Sequence, residues 1–217
     1  MTRWNKVYTN RTHVYGKLAN GLLWQHLQEA LAGPVLDVGC GEGRNGLMAA
    51  RMGRPVVGLD VSSVAVERAC SFAAEEGLLF QGTVGDVLTY EYGTGTYAAV
   101  VAALVLPFVR KSQIVGLMER WRDATLPGGL VYVSALLSTD PDAAPHRGKC
   151  DEVEPWCFWK PELGEHRTFF EPGEVWGMLE TAGYEVVEYL EGAFLEVTPA
   201  EGPHHHRQVQ AVGRVRS

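Results

Sequence analysis

A glycine-rich segment carries the clearest chemical signal in the sequence. Residues 35–45 read Val-Leu-Asp-Val-Gly-Cys-Gly-Glu-Gly-Arg-Asn, beginning in a short apolar run that is typical of a buried strand. Glycines at such a turn permit positive φ angles and let the backbone approach a ligand closely. Because ligands of open α/β sheets bind beyond the carboxyl ends of the strands, this segment predicts a small-molecule site at that edge.

The spacing of the glycines distinguishes between kinds of ligand. The series is G-x-G-x-G from Gly39 to Gly43, and Arg44 stands where a dinucleotide fingerprint has its third glycine. This spacing disfavours a nicotinamide-linked oxidoreductase. Asp37 precedes the glycines on the strand, and a strand-end carboxylate suits a ligand with an ammonium group, such as the methionine half of S-adenosylmethionine.

Two further acids follow the next two predicted strands. Asp60 ends the second strand, where a carboxylate is able to accept hydrogen bonds from both ribose hydroxyls. Asp86 follows the third strand and is placed to accept from an adenine amino group. Each acid taken alone is equally well interpreted as a cap of a turn or helix. Together with the glycine segment, the three acids favour a cofactor site.

The elements that must position these residues alternate between strand and helix. Predicted strands lie at 34–38, 55–59, 78–84, 97–106, 130–136, 184–190 and 208–215, and predicted helices lie at 21–32, 43–52, 62–77, 113–125 and 172–182, with a turn at 126–129. This alternation predicts an α/β fold with a mostly parallel sheet flanked by helices. The length of 217 residues fits one domain, residues 1–217, with an N-terminal helical segment at 1–33.

Residues 138–171 interrupt the alternation with prolines, charges and aromatic residues. A segment this long inside a domain is usually functional, so we expect a lid or cap inserted before the last helix. Trp156, Phe158 and Trp159 either cover a substrate or form the cap's own core, and we favour the second interpretation. His166 and Arg167 are candidates to line a pocket.

With these motifs in place, the sequence resembles class I S-adenosylmethionine-dependent methyltransferases over most of its length. Residues 36–43, 58–60 and 85–87 look like the first three motifs of that family, and residues 126–129 look like its post-sheet turn. The Arg44-Asn45 pair, the segment from Trp4 to Gly16 and the strand 100–106 are similar to the tellurite-resistance (TehB-like) branch.

The resemblance implies a Rossmann-like, seven-stranded sheet that binds S-adenosyl-L-methionine and releases S-adenosyl-L-homocysteine. Matched motif by motif, it assigns the cofactor to Tyr15, Asp37, Gly39, Cys40, Gly41, Asn45, Asp60, Val61, Asp86, Val87 and Ala102.

Methyl transfer is an in-line displacement, for which an enzyme mainly positions the nucleophile and excludes water. For a soft oxyanion, cationic donors matter more than a base. We therefore take Arg44 and Arg207 as catalytic candidates, with His206 as donor or base. We predict no metal site, since His204-His205-His206 is interpreted as a solvated strand entry, and Cys150 and Cys157 as ordinary thiols.

Three functions remain open. The leading one is methyl transfer to a small molecule, with a tellurium or selenium oxyanion as the TehB-like acceptor. The first alternative is O-, N- or S-methylation of an organic metabolite, which the aromatic cap favours because an oxyanion needs no large apolar lid. The second alternative is a non-catalytic, S-adenosylmethionine-binding regulatory protein.

Composition limits the partners and the compartment. The net charge of −7, from 26 acidic and 19 basic side chains, argues against nucleic acid as the main partner. No apolar run reaches the ~20 residues of a membrane span, and the N-terminus lacks the apolar core of a signal peptide. Four cysteines without C-x-x-C spacing fit a reducing cytosol. We therefore expect a cytoplasmic monomer or homodimer acting on a small molecule.

Overall fold

The structure is a computed structural model that describes residues 2–216. Its helices are α1 (Arg3–Thr9), α2 (Gly21–Glu29), α3 (Arg44–Arg51), α4 (Ser63–Glu75), α5 (Lys111–Ala124) and α6 (Glu174–Thr181), with short 3-10 helices at Leu106–Phe108 and Ala144–His146. Its strands are β1 (Val35–Val38), β2 (Val56–Asp60), β3 (Phe80–Val84), β4 (Tyr97–Ala103), β5 (Thr125–Leu136), β6 (Asp151–Glu154), β7 (Cys157–Lys160), β8 (Glu165–Thr168), β9 (Tyr184–Thr198) and β10 (Gly202–Val215).

The main sheet has seven strands in the order β3-β2-β1-β4-β5-β10-β9. Strands β1 to β5 pair in parallel, and β10 is antiparallel to both of its neighbours, β5 and β9. The predicted Rossmann-like α/β fold is confirmed. The central strands β1 and β4 are buried almost throughout and are nearly wholly apolar, as expected for strands covered by helices on both faces.

Helices pack on both faces of this sheet because each presents one apolar stripe to it. On one face, α5 and α6 contribute Trp121, Met118 and Leu179 to a buried cluster. On the other face, α2 contributes Leu23 and Leu27, which pack with alanines of α3. None of the helices formed by residues 2–216 is long and apolar enough to cross a membrane.

Two elements depart from the sequence prediction. The predicted turn at 126–129 lies inside β5 as an irregularity, because the pairing with β4 jumps from Thr125 to Leu130, and Gly128 takes a φ of 77°.

Strands β9 and β10 continue beyond the predicted limits of 190 and 208. They pair as one long hairpin from Tyr184 opposite Val215 to Thr198 opposite Gly202, so the hairpin tip projects past its neighbour β5.

Residues 138–171 form more than a loop. Strands β6, β7 and β8 make a small antiparallel sheet, in which β7 is central. Phe158 and Phe169 are buried with Ala143 in a core separate from the two clusters of the main sheet. This separate core supports the interpretation of the segment as a cap.

Candidate functional site

A cavity of about 590 Å³ lies at the carboxyl ends of β1, β2 and β4, within the usual range for small-molecule sites. We call its first part the glycine-loop end, lined by residues 39–42, 44–45, 60–61, 86–88 and 103–105. We call its second part the cap end, lined by Phe108, Leu136, Asp142, His146, residues 164–167, Phe169, Glu196 and His206. Trp4, Tyr8 and Tyr15 of the N-terminal segment line it as well.

The glycine-loop end depends on backbone conformations that favour glycine. Gly39 and Gly41 have φ angles of 63° and 53°, in the left-handed region that other residues avoid. A Cβ atom on Gly41 would lie 2.6 Å from Oη of Tyr8. The loop therefore passes directly beneath a side chain of α1, with no room for a larger residue.

Asp60 is the central carboxylate of the glycine-loop end. Its Oδ2 accepts the N–H of Gly41 at 2.9 Å, and its Oδ1 accepts the N–H of Ser62 at 2.8 Å. Only 8% of the residue is exposed, and this burial raises the pKa of its carboxyl group. Since each carboxylate oxygen accepts more than one hydrogen bond, both keep capacity for ligand hydroxyls.

Asp37 does not line the cavity, so the structure does not bring it to the place where we expected it to meet an ammonium group. Its Oδ2 accepts the N–H of Gly46 at 2.8 Å, so the side chain lies beneath the first turn of α3. The residue is 2% exposed, and burial raises its pKa to about 7. Asp37 therefore anchors α3 to β1.

Ala102 is the second assigned residue that lies elsewhere. It is fully buried within the core of the main sheet, whereas Ala103, Leu104 and Val105 line the cavity. The chain turns out of β4 at Leu104, which has a φ of 56°. The residues that face a ligand are consequently those just after the strand.

The remaining assigned residues line the cavity: Tyr15, Gly39, Cys40, Gly41, Asn45, Asp60, Val61, Asp86 and Val87. Two of their polar side chains also hold local structure. Oδ1 of Asn45 accepts the N–H of Asn20 at 3.3 Å, and Oδ1 of Asp86 accepts the N–H of Leu88 at 2.9 Å. Burial raises the pKa of the Cys40 thiol well above its usual range, so this cysteine is neutral.

The two arginines of the cavity are both paired with carboxylates. Arg44 donates to the carbonyl oxygen of Tyr15 at 2.7 Å and to Oε1 of Glu196 at 3.2 Å. Arg167 lies 3.1 Å from Glu165 and stacks 4.2 Å from the ring centroid of Phe108. Arg44 thus joins the N-terminal segment to the β9–β10 hairpin.

His206 and Arg207 occupy opposite faces of β10, because successive strand residues alternate. His206 lines the cavity, and its Nδ1 lies 3.2 Å from Oδ2 of Asp140. This hydrogen bond raises the pKa of His206. Arg207 is exposed and does not line the cavity, so the structure does not bring this candidate donor together with Arg44 and His206.

The cap contributes residues that sequence analysis partly missed. His166 and Arg167 line the cavity as expected, whereas Trp156, Phe158 and Trp159 do not. His146 was not singled out. Its Nδ1 lies 2.8 Å from the carbonyl oxygen of Asp142, and burial lowers its pKa.

The chain is similar to known methyltransferases in sequence and in fold. Residues 35–129 match the family described as "Methyltransferase domain". The chain is 30% identical over 124 residues to 2-heptyl-1-hydroxyquinolin-4(1H)-one methyltransferase of Mycobacteroides abscessus, an alignment that spans 55% of this chain and 54% of that protein. The chain thus spans about half the length of this relative.

Solved structures share the fold at low identity. A S-adenosylmethionine-dependent methyltransferase of Methanosarcina mazei superposes with a TM-score of 0.74 at 18% identity, covering 92% of this chain and 99% of that one. TehB of Haemophilus influenzae gives 0.70 at 18% identity, covering 98% of this chain and 67% of that one.

The fold is Rossmann-like, as in the solved methyltransferases, and the glycine-loop end lies at the carboxyl ends of its parallel strands. The resemblance to S-adenosylmethionine-dependent methyltransferases, stated from the motifs, is confirmed to the extent that residues 35–129 match a methyltransferase domain.

Proposed function

We propose that the protein transfers a methyl group from S-adenosylmethionine to a small organic acceptor. The observation that carries the cofactor assignment is Asp60, a nearly buried carboxylate at the end of β2 that accepts a hydrogen bond from Gly41 and lines the same cavity as the glycine loop. In this assignment Asp60 accepts the ribose hydroxyls, and Asp86 accepts from the adenine amino group. The backbone from Gly39 to Gly41 runs along the methionine part.

The chemistry that S-adenosylmethionine supplies is an electrophilic methyl group on a sulfonium sulfur. The chain's own residues orient the acceptor and exclude water. Trp4 packs edge-on against Phe108 at 4.9 Å between ring centroids, so α1 forms one wall over the cavity. The cavity is continuous from the glycine loop to the cap end. This continuity favours an enzyme over a regulatory protein whose site is closed near the methyl group.

The charges of the cap end favour an organic acceptor over an oxyanion of tellurium or selenium. An oxyanion requires cationic donors that are available to it. Arg44 and Arg167 are instead paired with Glu196 and Glu165, and Asp142 adds a further acid to the lining. Phe108, Leu136 and Phe169 give the same region apolar surface, which suits a ring-containing molecule.

The relatives support both kinds of acceptor to different degrees. The Mycobacteroides abscessus relative is named for a hydroxyquinolone, an aromatic molecule. The similarity to TehB makes selenite and tellurite the competing acceptors in any test. Because both arginines are paired with carboxylates, we favour an acceptor of the hydroxyquinolone type.

Calorimetric titration with S-adenosylhomocysteine tests the cofactor site. Two hydrogen bonds to a carboxylate at about 1.5–3 kcal/mol each predict that Asp60→Ala loses at least about 100-fold in affinity. Asp60→Asn keeps one oxygen and is expected to lose less. Glu76→Ala, which removes a surface acid paired with Arg51, is the control and retains wild-type affinity. No binding by the wild-type protein would refute the cofactor assignment.

Transfer of labelled methyl groups then tests the acceptor. The wild-type protein is incubated with labelled S-adenosylmethionine and a panel of hydroxyquinolones, phenols, amines and thiols, alongside selenite and tellurite. We expect label in the organic acceptors. Label in the oxyanions alone would overturn the organic assignment while leaving the cofactor site intact.

A further inference from the structure

Three side chains at the tip of the β9–β10 hairpin gather metal-ligating atoms at one point. Glu196 lies on β9, and His204 and His206 lie on β10, with one ligand atom from each within 4.8 Å of the others. We propose that these residues bind a divalent transition-metal ion of the zinc type at the cap end of the cavity. Metal binding by these residues does not depend on the proposed methyl transfer.

The pairing of the hairpin creates the cluster. His204 is directly opposite Glu196 in the strand register, and His206, two residues on, shares its face. Nε2 of His204 lies 4.0 Å from Oε2 of Glu196, and Nε2 of His206 lies 3.8 Å from it. Zinc bonds of about 2.0–2.1 Å place tetrahedral ligands about 3.3 Å apart. Side-chain rotations that bring each histidine about 0.5–0.7 Å closer to Glu196, and the two imidazoles from within 4.8 Å to the same spacing, would complete the geometry.

Both histidines are oriented as metal ligands are in known sites. Nδ1 of His206 lies 3.2 Å from Oδ2 of Asp140, and Nδ1 of His204 lies 2.9 Å from the carbonyl oxygen of Gly202. These partners only accept hydrogen bonds, so each Nδ1 carries a proton, and in the neutral ring Nε2 has the free lone pair. Metal-bound histidines almost always donate their other N–H in this way.

The carboxylate of Glu196 is held in the same manner. Its Oε1 accepts a hydrogen bond from Arg44 at 3.2 Å, which leaves Oε2 directed toward the two imidazoles. Two histidines and one carboxylate form the ligand set of catalytic zinc sites and of non-haem iron sites, both of which keep open positions.

A competing explanation uses the same contacts without a metal. Oε2 of Glu201 lies 3.3 Å from Nε2 of His204, and hydrogen bonds of the two histidines to Glu196, Glu201 and Asp140 would also hold the cluster together. The two explanations differ in a measurable way, since only the first requires stoichiometric metal binding that depends on both histidines.

The position of the cluster indicates a role in acceptor binding, and this part rests on the proposed function. Glu196 and His206 line the cap end, so an open coordination position faces the acceptor. A metal ion there would bind an acceptor oxygen or sulfur and lower its pKa, so that its proton would be released to solvent before methyl transfer. The metal would then replace a general base.

Titration of Zn²⁺ into the full chain after chelator treatment, followed by calorimetry, tests the site. We expect one Zn²⁺ per chain, and His204→Ala and His206→Ala each to weaken binding by at least about 100-fold. Asp140→Asn, which removes a supporting acceptor, is expected to weaken it by about 10–100-fold. His205→Ala is the matched control, because His205 is exposed on the opposite face of β10, and it keeps wild-type affinity.

S-adenosylhomocysteine binding by each variant shows separately whether the glycine-loop end is intact. Absence of stoichiometric Zn²⁺ binding by the wild-type protein would overturn the metal site. So would binding that survives in the His204→Ala/His206→Ala double variant. Zinc binding that fits these expectations without methyl transfer to any acceptor supports the site and contradicts the proposed function instead. Methyl transfer unaffected by chelators would refute the metal's role in acceptor binding.

Discussion

The two ends of the cavity are built in different ways. The glycine-loop end comes from four strand ends between residues 38 and 105, and its geometry depends on backbone amides, glycines and one buried carboxylate. The cap end brings together α1, the cap and the hairpin tip, which are far apart in the chain, and it depends on side-chain pairs such as His206 with Asp140. The first end is specified by a local motif and the second by tertiary packing.

This difference separates the parts of the cavity that are readily altered from those that are not. A backbone-defined site tolerates few substitutions, since glycine at a positive φ has no equivalent. A site made from side chains on an insertion and a projecting hairpin changes with each substitution. The glycine-loop end therefore suits a shared cofactor, and the cap end suits an acceptor particular to this protein.

The largest expected effect comes from the core of the cap. Phe158→Ala removes a fully buried ring that packs with Phe169 and Ala143, and such changes cost about 3–5 kcal/mol. We expect urea unfolding to show a loss of this size, or selective proteolysis within 138–171 if the cap opens alone. S-adenosylhomocysteine affinity should stay within about threefold of wild type, because Phe158 does not line the cavity. An equal fall in affinity and stability would show that the two ends are not separate.

Asp37 provides a pH-dependent test of the glycine-loop end. Its pKa of about 7 in the folded protein lies above the unfolded value of about 3.9. Between these values the folded protein holds a proton that the unfolded chain has lost, so its unfolding free energy falls by about 1.4 kcal/mol per pH unit as pH rises. The contribution is fully present below pH ~4 and is lost above pH ~7.

Asp37→Asn keeps an acceptor for Gly46 and removes this titration. The variant should therefore gain about 3 kcal/mol relative to wild type between pH 5 and pH 8, as measured from urea unfolding curves at both values. Asp123→Asn, at an exposed acid, serves as the control with no such gain. Parallel pH dependence of Asp37→Asn and wild type would contradict the raised pKa.

Gly41→Ala tests the smallest effect, crowding between the glycine loop and α1. The new Cβ would meet Oη of Tyr8 at 2.6 Å, and we expect S-adenosylhomocysteine affinity to fall about tenfold, or about 1.4 kcal/mol. Gly53→Ala is the control, since Gly53 has a φ of 81° but no neighbour within 4 Å of the added atom. We expect Gly53→Ala to carry a similar backbone strain of about 1–3 kcal/mol and to keep wild-type affinity for S-adenosylhomocysteine.

Tyr8→Phe in the Gly41→Ala background removes the crowding hydroxyl, and the next ring atom lies 3.4 Å away. We expect partial recovery of affinity in this double variant. A double variant as weak as Gly41→Ala would show that backbone strain alone causes the loss.

The sequence predicts the geometry well where neighbouring residues define it. The glycine spacing and the placement of Asp60 after a strand give the sheet type and the cofactor edge, because strand ends of a parallel sheet meet at one side. Asp37 belongs to the same motif, yet the direction of its side chain depends on how α3 packs over β1. That packing has no local signal.

The cap end was largely beyond prediction for a related reason. Of the neighbouring residues His206 and Arg207, only one is able to face the cavity. Which one does so depends on the register of β10 with its partner strands, and the sequence does not give that register. Glu196 has no distinguishing motif and meets His204 only through the register of a hairpin that extends to Thr198. The alternation of apolar and polar residues from Leu195 to Thr198 was the available signal for the extension of β9.

The attachment of the cap has a consequence for evolution and for engineering. Leu137 and Phe170 lie side by side in a bridge, with the N–H of Ser138 donating to the carbonyl oxygen of Phe170 at 2.7 Å. The insertion therefore leaves and re-enters the fold at one place. An insertion with adjacent ends is exchangeable between homologous chains by recombination, since the flanking strands need no rearrangement. We therefore expect that exchange of this segment alone would alter acceptor preference.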